Sequence, residues 1–66
     1  SNDLININQA GQSELEKLSG IGSAKAAAII KYREQNSYFA KKSDLLKISG
    51  IGEKTLENIE DEIVLQ

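Results

Sequence analysis

Ten residues, Ser13-Glu-Leu-Glu-Lys-Leu-Ser-Gly-Ile-Gly22, return thirty positions later as Ser43-Asp-Leu-Leu-Lys-Ile-Ser-Gly-Ile-Gly52. A repeat of this kind defines the building unit before any single residue is considered. The match extends beyond the copied block: Leu15 pairs with Leu45, Leu18 with Ile48, Ile21 with Ile51 and Ile29 with Ile59. Each copy therefore reads as a short apolar-patterned segment, a Ser-Gly-Ile-Gly turn and a second helix. At Gly20 and Gly50 glycine can take the left-handed backbone that ends a helix. Gly22 and Gly52 then open the next helix, with the isoleucine between the glycines turned inward to lock the pair.

The expected fold class is all-α, a tandem of two pseudosymmetric hairpin units in one small domain spanning residues 1–66. Repeat one covers about 13–36, repeat two about 43–65, and an N-terminal arm covers 1–12. Ser13 and Glu16 have capping-box spacing, so a first helix is expected over 13–18 with Leu15 and Leu18 inward. Ser23 to Gln35 is rich in alanine and other strong helix formers. Its apolar stripe, Ala26, Ile29 and Ile30, runs on to Arg33, whose charged head must reach the rim. Asn36-Ser37 ends this helix, and Phe39 in the connection is the natural plug for the core. Ser43 is expected to cap a third helix over 44–48, and a fourth runs over 53–60 with Leu56 and Ile59 inward. Leu4 to Asn8 alternates apolar and polar, which reads as an extended arm, with Asn8 positioned to cap a short turn over Gln9 to Gly11. Ile63-Val64-Leu65 closes the chain as an extended or short helical tail.

Composition narrows the chemistry. The chain has no Cys and no His, so it has no disulfide, no thiolate metal site and no imidazole base or ligand. A hydrophobic fraction of 39% supplies one compact core and no enclosed active site, and no enzymatic activity is expected. Glu57 and Asp61 lie one helical turn apart, a spacing more typical of a solvated face than of a metal site. No stretch is long and apolar enough for a membrane span. Net charge is −2, which argues against a simple basic DNA-binding surface. The deficit is uneven, with Glu57, Glu60, Asp61 and Glu62 gathered near the end while lysines flank both turns.

The first amides of a helix have no intrahelical acceptor, and the helix dipole places positive potential behind them. Two such starts at a fixed separation, each followed by a lysine within three residues of the last glycine, suit a ligand with regularly spaced anions. A nucleic-acid backbone is that kind of ligand. The same turns also fit a plain packing role, since short helical hairpins are common connections.

The pattern from Leu15 through Leu18, Gly20-Ile21-Gly22 to Ala26 resembles the helix-hairpin-helix motif, and the second copy makes it the paired form, a SAM-like small helical domain. Ile5-Asn-Ile-Asn-Gln-Ala10, Leu15 to Gly22, Ile29-Ile30, Tyr32-Arg33, Phe39 and Asp44-Leu45 together resemble the C-terminal domain of the ComEA family of bacterial competence DNA receptors, over residues 4–65. The resemblance implies sequence-independent binding of double-stranded DNA by a monomer that has no small-molecule substrate. It implies a place on the extracellular face of the cell membrane or in the periplasm, with any tether outside this fragment. It also implies a site made of Gly20, Ile21, Gly22, Ser23, Ala24 and Lys25 in the first turn. The second would use Gly50, Ile51, Gly52, Lys54 and Thr55. No cofactor is implied beyond an optional monovalent cation on turn carbonyls, those of Glu16, Leu18 and Ile21 or of Leu46, Ile48 and Ile51.

Two departures bear on binding strength. Ser19 and Ser23 stand where the family often has proline, and Glu53 stands at the opening of the second repeat's helix, where it competes with a phosphate. Repeat one, beginning Ser23-Ala24-Lys25, is therefore expected to be the stronger anion site, with Lys25, Lys54 and Glu53 all exposed. A protein-interaction module using the same hairpins is the alternative, and it fits the acidic balance.

Overall fold

The computed structural model describes residues 4–65; Ser1, Asn2, Asp3 and Gln66, the ends of the expected domain and the start of its arm, lie outside the described residues. The chain order is β1 (Ile5–Asn6), α1 (Gln12–Leu15), α2 (Ser23–Asn36), a 3-10 helix over Lys42–Lys47, α3 (Glu53–Ile59), a 3-10 turn over Glu60–Glu62, and β2 (Ile63–Val64). The architecture is the helical tandem expected from the repeat. A two-stranded parallel ribbon joins its ends, pairing Ile5 with Ile63 and Asn6 with Val64.

The repeat is visible in the core. Leu15, Leu18, Ile21 and Ile29 are buried, and so are their counterparts Leu45, Ile48, Ile51 and Ile59. The first helix of each unit is short, about one turn in the first and two 3-10 turns in the second. In the first unit it tightens at its end, with Lys17 N–H donating to Glu14 C=O at 3.1 Å and Leu18 N–H to Leu15 C=O at 3.0 Å. α2 ends at Asn36 because Ser37 turns left-handed, φ 69°. Ala26 and Ile29 face inward, Ile30 and Arg33 are half-buried, and Arg33 Nη1 donates to the Ile7 carbonyl at 2.8 Å. Phe39 is buried, with its ring stacked on Tyr32 at 5.0 Å between centroids. Leu56, expected inward, is only half-buried, whereas its counterpart Ala26 is fully enclosed.

Three expected caps are replaced. α1 begins at Gln12 behind Gly11, so Ser13 lies inside the helix and makes no capping box; the Glu16 carboxylate instead accepts from Gln12 Nε2 at 3.2 Å. Ser43 does not cap the next helix, because that helix starts two residues earlier than expected, at Lys42 behind Lys41. The Asp44 carboxylate turns back to accept the Ala40 N–H at 3.0 Å and the Lys41 N–H at 3.3 Å. Asn8 does not cap the short turn either. Asn6 does, its Oδ1 accepting Asn8 N–H at 2.9 Å while its carbonyl accepts Gln9 and Ala10 N–H. Asn8 is buried and clasps the connection from both sides: its Nδ2 donates to Phe39 C=O at 3.1 Å, and its Oδ1 accepts Phe39 N–H at 2.7 Å. The segment read as an arm is thus part of the core, with Ile5, Ile7 and Ala10 buried. Among the described residues no helix is long and apolar enough to cross a membrane.

Candidate functional site

The two turns share one geometry. Gly20 and Gly50 have φ of 79° and 95°, and one residue on, Ile21 N–H donates to Leu18 C=O and Ile51 N–H to Ile48 C=O, both at 3.1 Å. Gly22 and Gly52 follow with extended backbones, φ −94° and −104°, and no side chain caps the helix behind either. The intrahelical ladders begin with Ala26 N–H to Gly22 C=O at 2.9 Å and Leu56 N–H to Gly52 C=O at 3.0 Å. The amides of Ser23, Ala24 and Lys25, and those of Glu53, Lys54 and Thr55, precede those bonds and have no acceptor within their helices. They sit at the positive ends of α2 and α3. A Cβ placed on Gly22 or Gly52 would meet nothing within 4 Å, so the space in front of each amide set is open.

The expected site residues therefore divide by role. Gly20, Gly22, Ser23, Ala24, Gly50, Gly52 and Lys54 are exposed, while Lys25 and Thr55 are half-buried. Ile21 and Ile51, each 4% exposed, put their side chains in the core and their N–H groups into the turns. Their buried side chains and turn hydrogen bonds hold the glycines on either side in place. Lys25 also departs from the expectation of full exposure, unlike Lys54 and Glu53. The two lysines are not equivalent: at the thirty-residue offset Lys25 matches Thr55 and Lys54 matches Ala24. Of the carbonyls assigned to a cation, Leu18 and Ile48 each already accept one N–H, which leaves one lone pair apiece. Among the described residues no group of three or more acidic, His or Cys side chains is placed to hold a metal ion.

One participant was missed by sequence reasoning. Glu62 reaches across to the first turn, its Oε1 accepting Ser19 N–H at 3.1 Å and its Oε2 accepting Ser19 Oγ–H at 2.8 Å. The Ser19 amide and then its hydroxyl hold the Glu62 carboxyl below its ordinary range, against a smaller opposing effect of burial. The turn whose helix carries no acid in its opening residues thus has one beside it from the other end of the chain. This removes part of the expected advantage of repeat one. At the Asp44 turn, the Ala40 amide lowers that carboxyl most; burial opposes it, and Lys41 N–H and Lys47, whose Nζ lies 3.5 Å from Asp44 Oδ1, add to the lowering.

Comparison with known proteins places this geometry. The family described as "Helix-hairpin-helix motif" matches residues 1–64. The chain belongs to the helix-hairpin-helix family. Within that family the domain is ComEA-like. It is 49% identical over 63 residues to ComE operon protein 1 of Bacillus subtilis, covering 96% of this chain and 31% of that protein. It is 48% identical over 63 residues to an uncharacterized protein of Haemophilus influenzae, covering 94% of this chain and 56% of the relative. A human protein, endonuclease/exonuclease/phosphatase family domain-containing protein 1, is 42% identical over 59 residues, or 89% of this chain and 10% of its own length. The helix-hairpin-helix chain thus spans between about a third and a little over half the length of the two bacterial relatives, and a small part of the human one.

Proposed function

We propose that this domain binds double-stranded DNA through its phosphates, without sequence preference, as the DNA-receiving part of a competence protein. The observation that carries the reading is the pair of open helix starts, each presented by an identical Gly-Ile-Gly turn and each left without a side-chain cap. A phosphate oxygen placed before either turn accepts from amides already aimed outward. That bond is charge-assisted and needs no rearrangement of the protein. Contacts of this kind fix position on the duplex and carry no base information.

With a net charge of −2, attraction comes from placed amides and the nearby Lys25 and Lys54 rather than from a basic surface. No bond is made or broken in this reading, and the domain acts as a binding module without turnover. The ComEA likeness supports a role in DNA uptake at the outer face of the cell membrane or in the periplasm, as a monomer held by a tether outside these residues. The acidic group formed by Glu57, Glu60, Asp61 and Glu62 favours the second reading, in which the hairpins pack against a protein.

Fluorescence anisotropy with two short duplexes of unrelated sequence, each at two salt concentrations, separates the two. With roughly four to six phosphates neutralised, log affinity falls against log salt with a slope of about −4 to −5, alike for both duplexes. Absence of duplex binding, or a strong preference for one sequence, would reject the DNA reading.

A further inference from the structure

The neighbours of the two turns obey the same thirty-residue offset as the turns themselves. Ser19 in the first is held by Glu62, and the residue thirty positions before Glu62 is Tyr32. Tyr32 and Ser49, the second turn's equivalent of Ser19, line one cleft of about 190 Å³ between α2 and the second turn. Where the first turn has a fixed carboxylate, the second opens onto a cleft lined by no carboxylate among the described residues. Buried Ile48, with half-buried Ala28 and Tyr32, forms its apolar base. Exposed Lys31, Gln35, Lys47 and Ser49 form its polar rim.

Lys31 has one helical turn of α2 between it and Gln35, so both side chains rise from the same edge of the cleft. Lys47 stands on the other side. It contacts Asp44 Oδ1 at 3.5 Å, yet its side chain is 65% exposed, and an ammonium has three donors to share. The Tyr32 ring lies to one side of the space, stacked on buried Phe39. The result is an open, preformed recess with two cationic edges, hydrogen-bonding groups and an apolar base, directly continuous with the turn at Ser49-Gly50.

We propose that this cleft is a sugar–phosphate subsite for the same duplex, taking backbone that runs on from the second turn. Lys31 and Lys47 contact the phosphate from either side, with Ser49 or Gln35 as neutral donors. The deoxyribose rests on Ala28 and Ile48. The two halves of the domain are thereby unequal: the first turn is flanked by an acid and the second by a cationic extension. This rests on the duplex-binding reading above.

The test is duplex affinity at about 50 and 200 mM salt for the wild-type chain and lysine variants, with melting temperature measured for each. Lys31→Ala combined with Lys47→Ala is expected to weaken binding roughly tenfold at the lower salt and to make the salt slope shallower by about two. Lys31→Arg combined with Lys47→Arg, which keeps both charges, is expected to stay near wild type. Each single alanine variant is expected to lose more than Lys41→Ala, which removes the same charge outside the cleft. Wild-type binding with an unchanged slope in the double alanine variant would overturn the subsite while leaving the hairpin reading intact. A wild-type chain that does not bind duplex DNA at all would overturn both.

Discussion

Replacing Gly22 by aspartate separates the demands of folding from those of binding. Gly22 has φ −94° and ψ −170°, the extended backbone that an N-cap side chain requires, and an added Cβ there meets nothing within 4 Å. The new carboxylate accepts from the amides of Ala24 or Lys25, which α2 leaves without intrahelical acceptors. Capping adds a few tenths of a kcal/mol over glycine, and the interaction with the helix dipole adds a similar amount. Loss of glycine's freedom in the unfolded chain adds roughly 0.4–1 kcal/mol. The expected gain is about 1–2 kcal/mol, which in a domain of this size raises Tm by about 4–16 °C. Binding moves the other way. The carboxylate takes the amides meant for a phosphate and repels it, so duplex affinity falls at least about tenfold, or 1.4 kcal/mol. Gly11 provides the control: it also stands before a helix with an extended backbone, φ −83° and ψ 178°, and open space around it, but outside the turns. Gly11→Asp is expected to stabilise to a similar degree and to leave binding within about twofold of wild type on the affinity scale. Thermal melts and duplex titrations on the three proteins decide the matter. Unchanged binding by Gly22→Asp, or equal losses in both variants, would refute the reasoning.

Gly50→Ala, at φ 95°, forces a side chain into the left-handed region and is expected to cost about 1–2 kcal/mol, read as a lower Tm, even though no atom crowds the site. Asn8→Ala strands both the N–H and the C=O of Phe39 and is expected to cost about 2–4 kcal/mol in denaturant unfolding; a loss under 1 kcal/mol would contradict the two-sided clasp. The folded-state pKa values of Asp44 and Glu62 are both lowered, so their stabilisation is fully present above the ordinary carboxylate range near pH 4. It is lost as pH falls through the folded values. Tm should therefore be flat above about pH 5 and decline below it, less steeply in Asp44→Asn and Glu62→Gln. The same Glu62→Gln change is expected to strengthen duplex binding by removing the acid beside Ser19.

What the sequence disclosed follows from what is local or repeated. The eight matched apolar positions are buried because a repeat with one internal spacing has one way to face a shared core. α2 was legible to within a residue at its end, since an alanine-rich run bounded by glycine and Asn36-Ser37 leaves little choice. Caps were misread where several polar residues competed within one turn. Ser13 and Ser43 have suitable side chains, but Gly11 and Lys41 sit where the backbone bends, and Asp44 can reach back over two amides where a serine hydroxyl could not. Contacts between distant segments carried no local signal. The pairing of Ile5 with Ile63 joins two stretches that each read only as extended. Asn8 and Phe39 are thirty-one residues apart. Glu62, read as part of a solvated acidic face, finds Ser19 across forty-three residues.

The central claim, that a phosphate backbone is held on the open amides of the two turns, is tested most directly by following backbone amide resonances while short duplex DNA is added. The largest shifts are expected at Gly22 to Lys25 and at Gly52 to Thr55, with lesser ones at Lys31, Lys47 and Ser49, the same for unrelated duplexes and reversed by salt. Ile7, Leu15 and Ile29, fully enclosed in the core, should stay in place. Shifts confined to other faces of the molecule, or none at either turn at saturating DNA, would contradict the account.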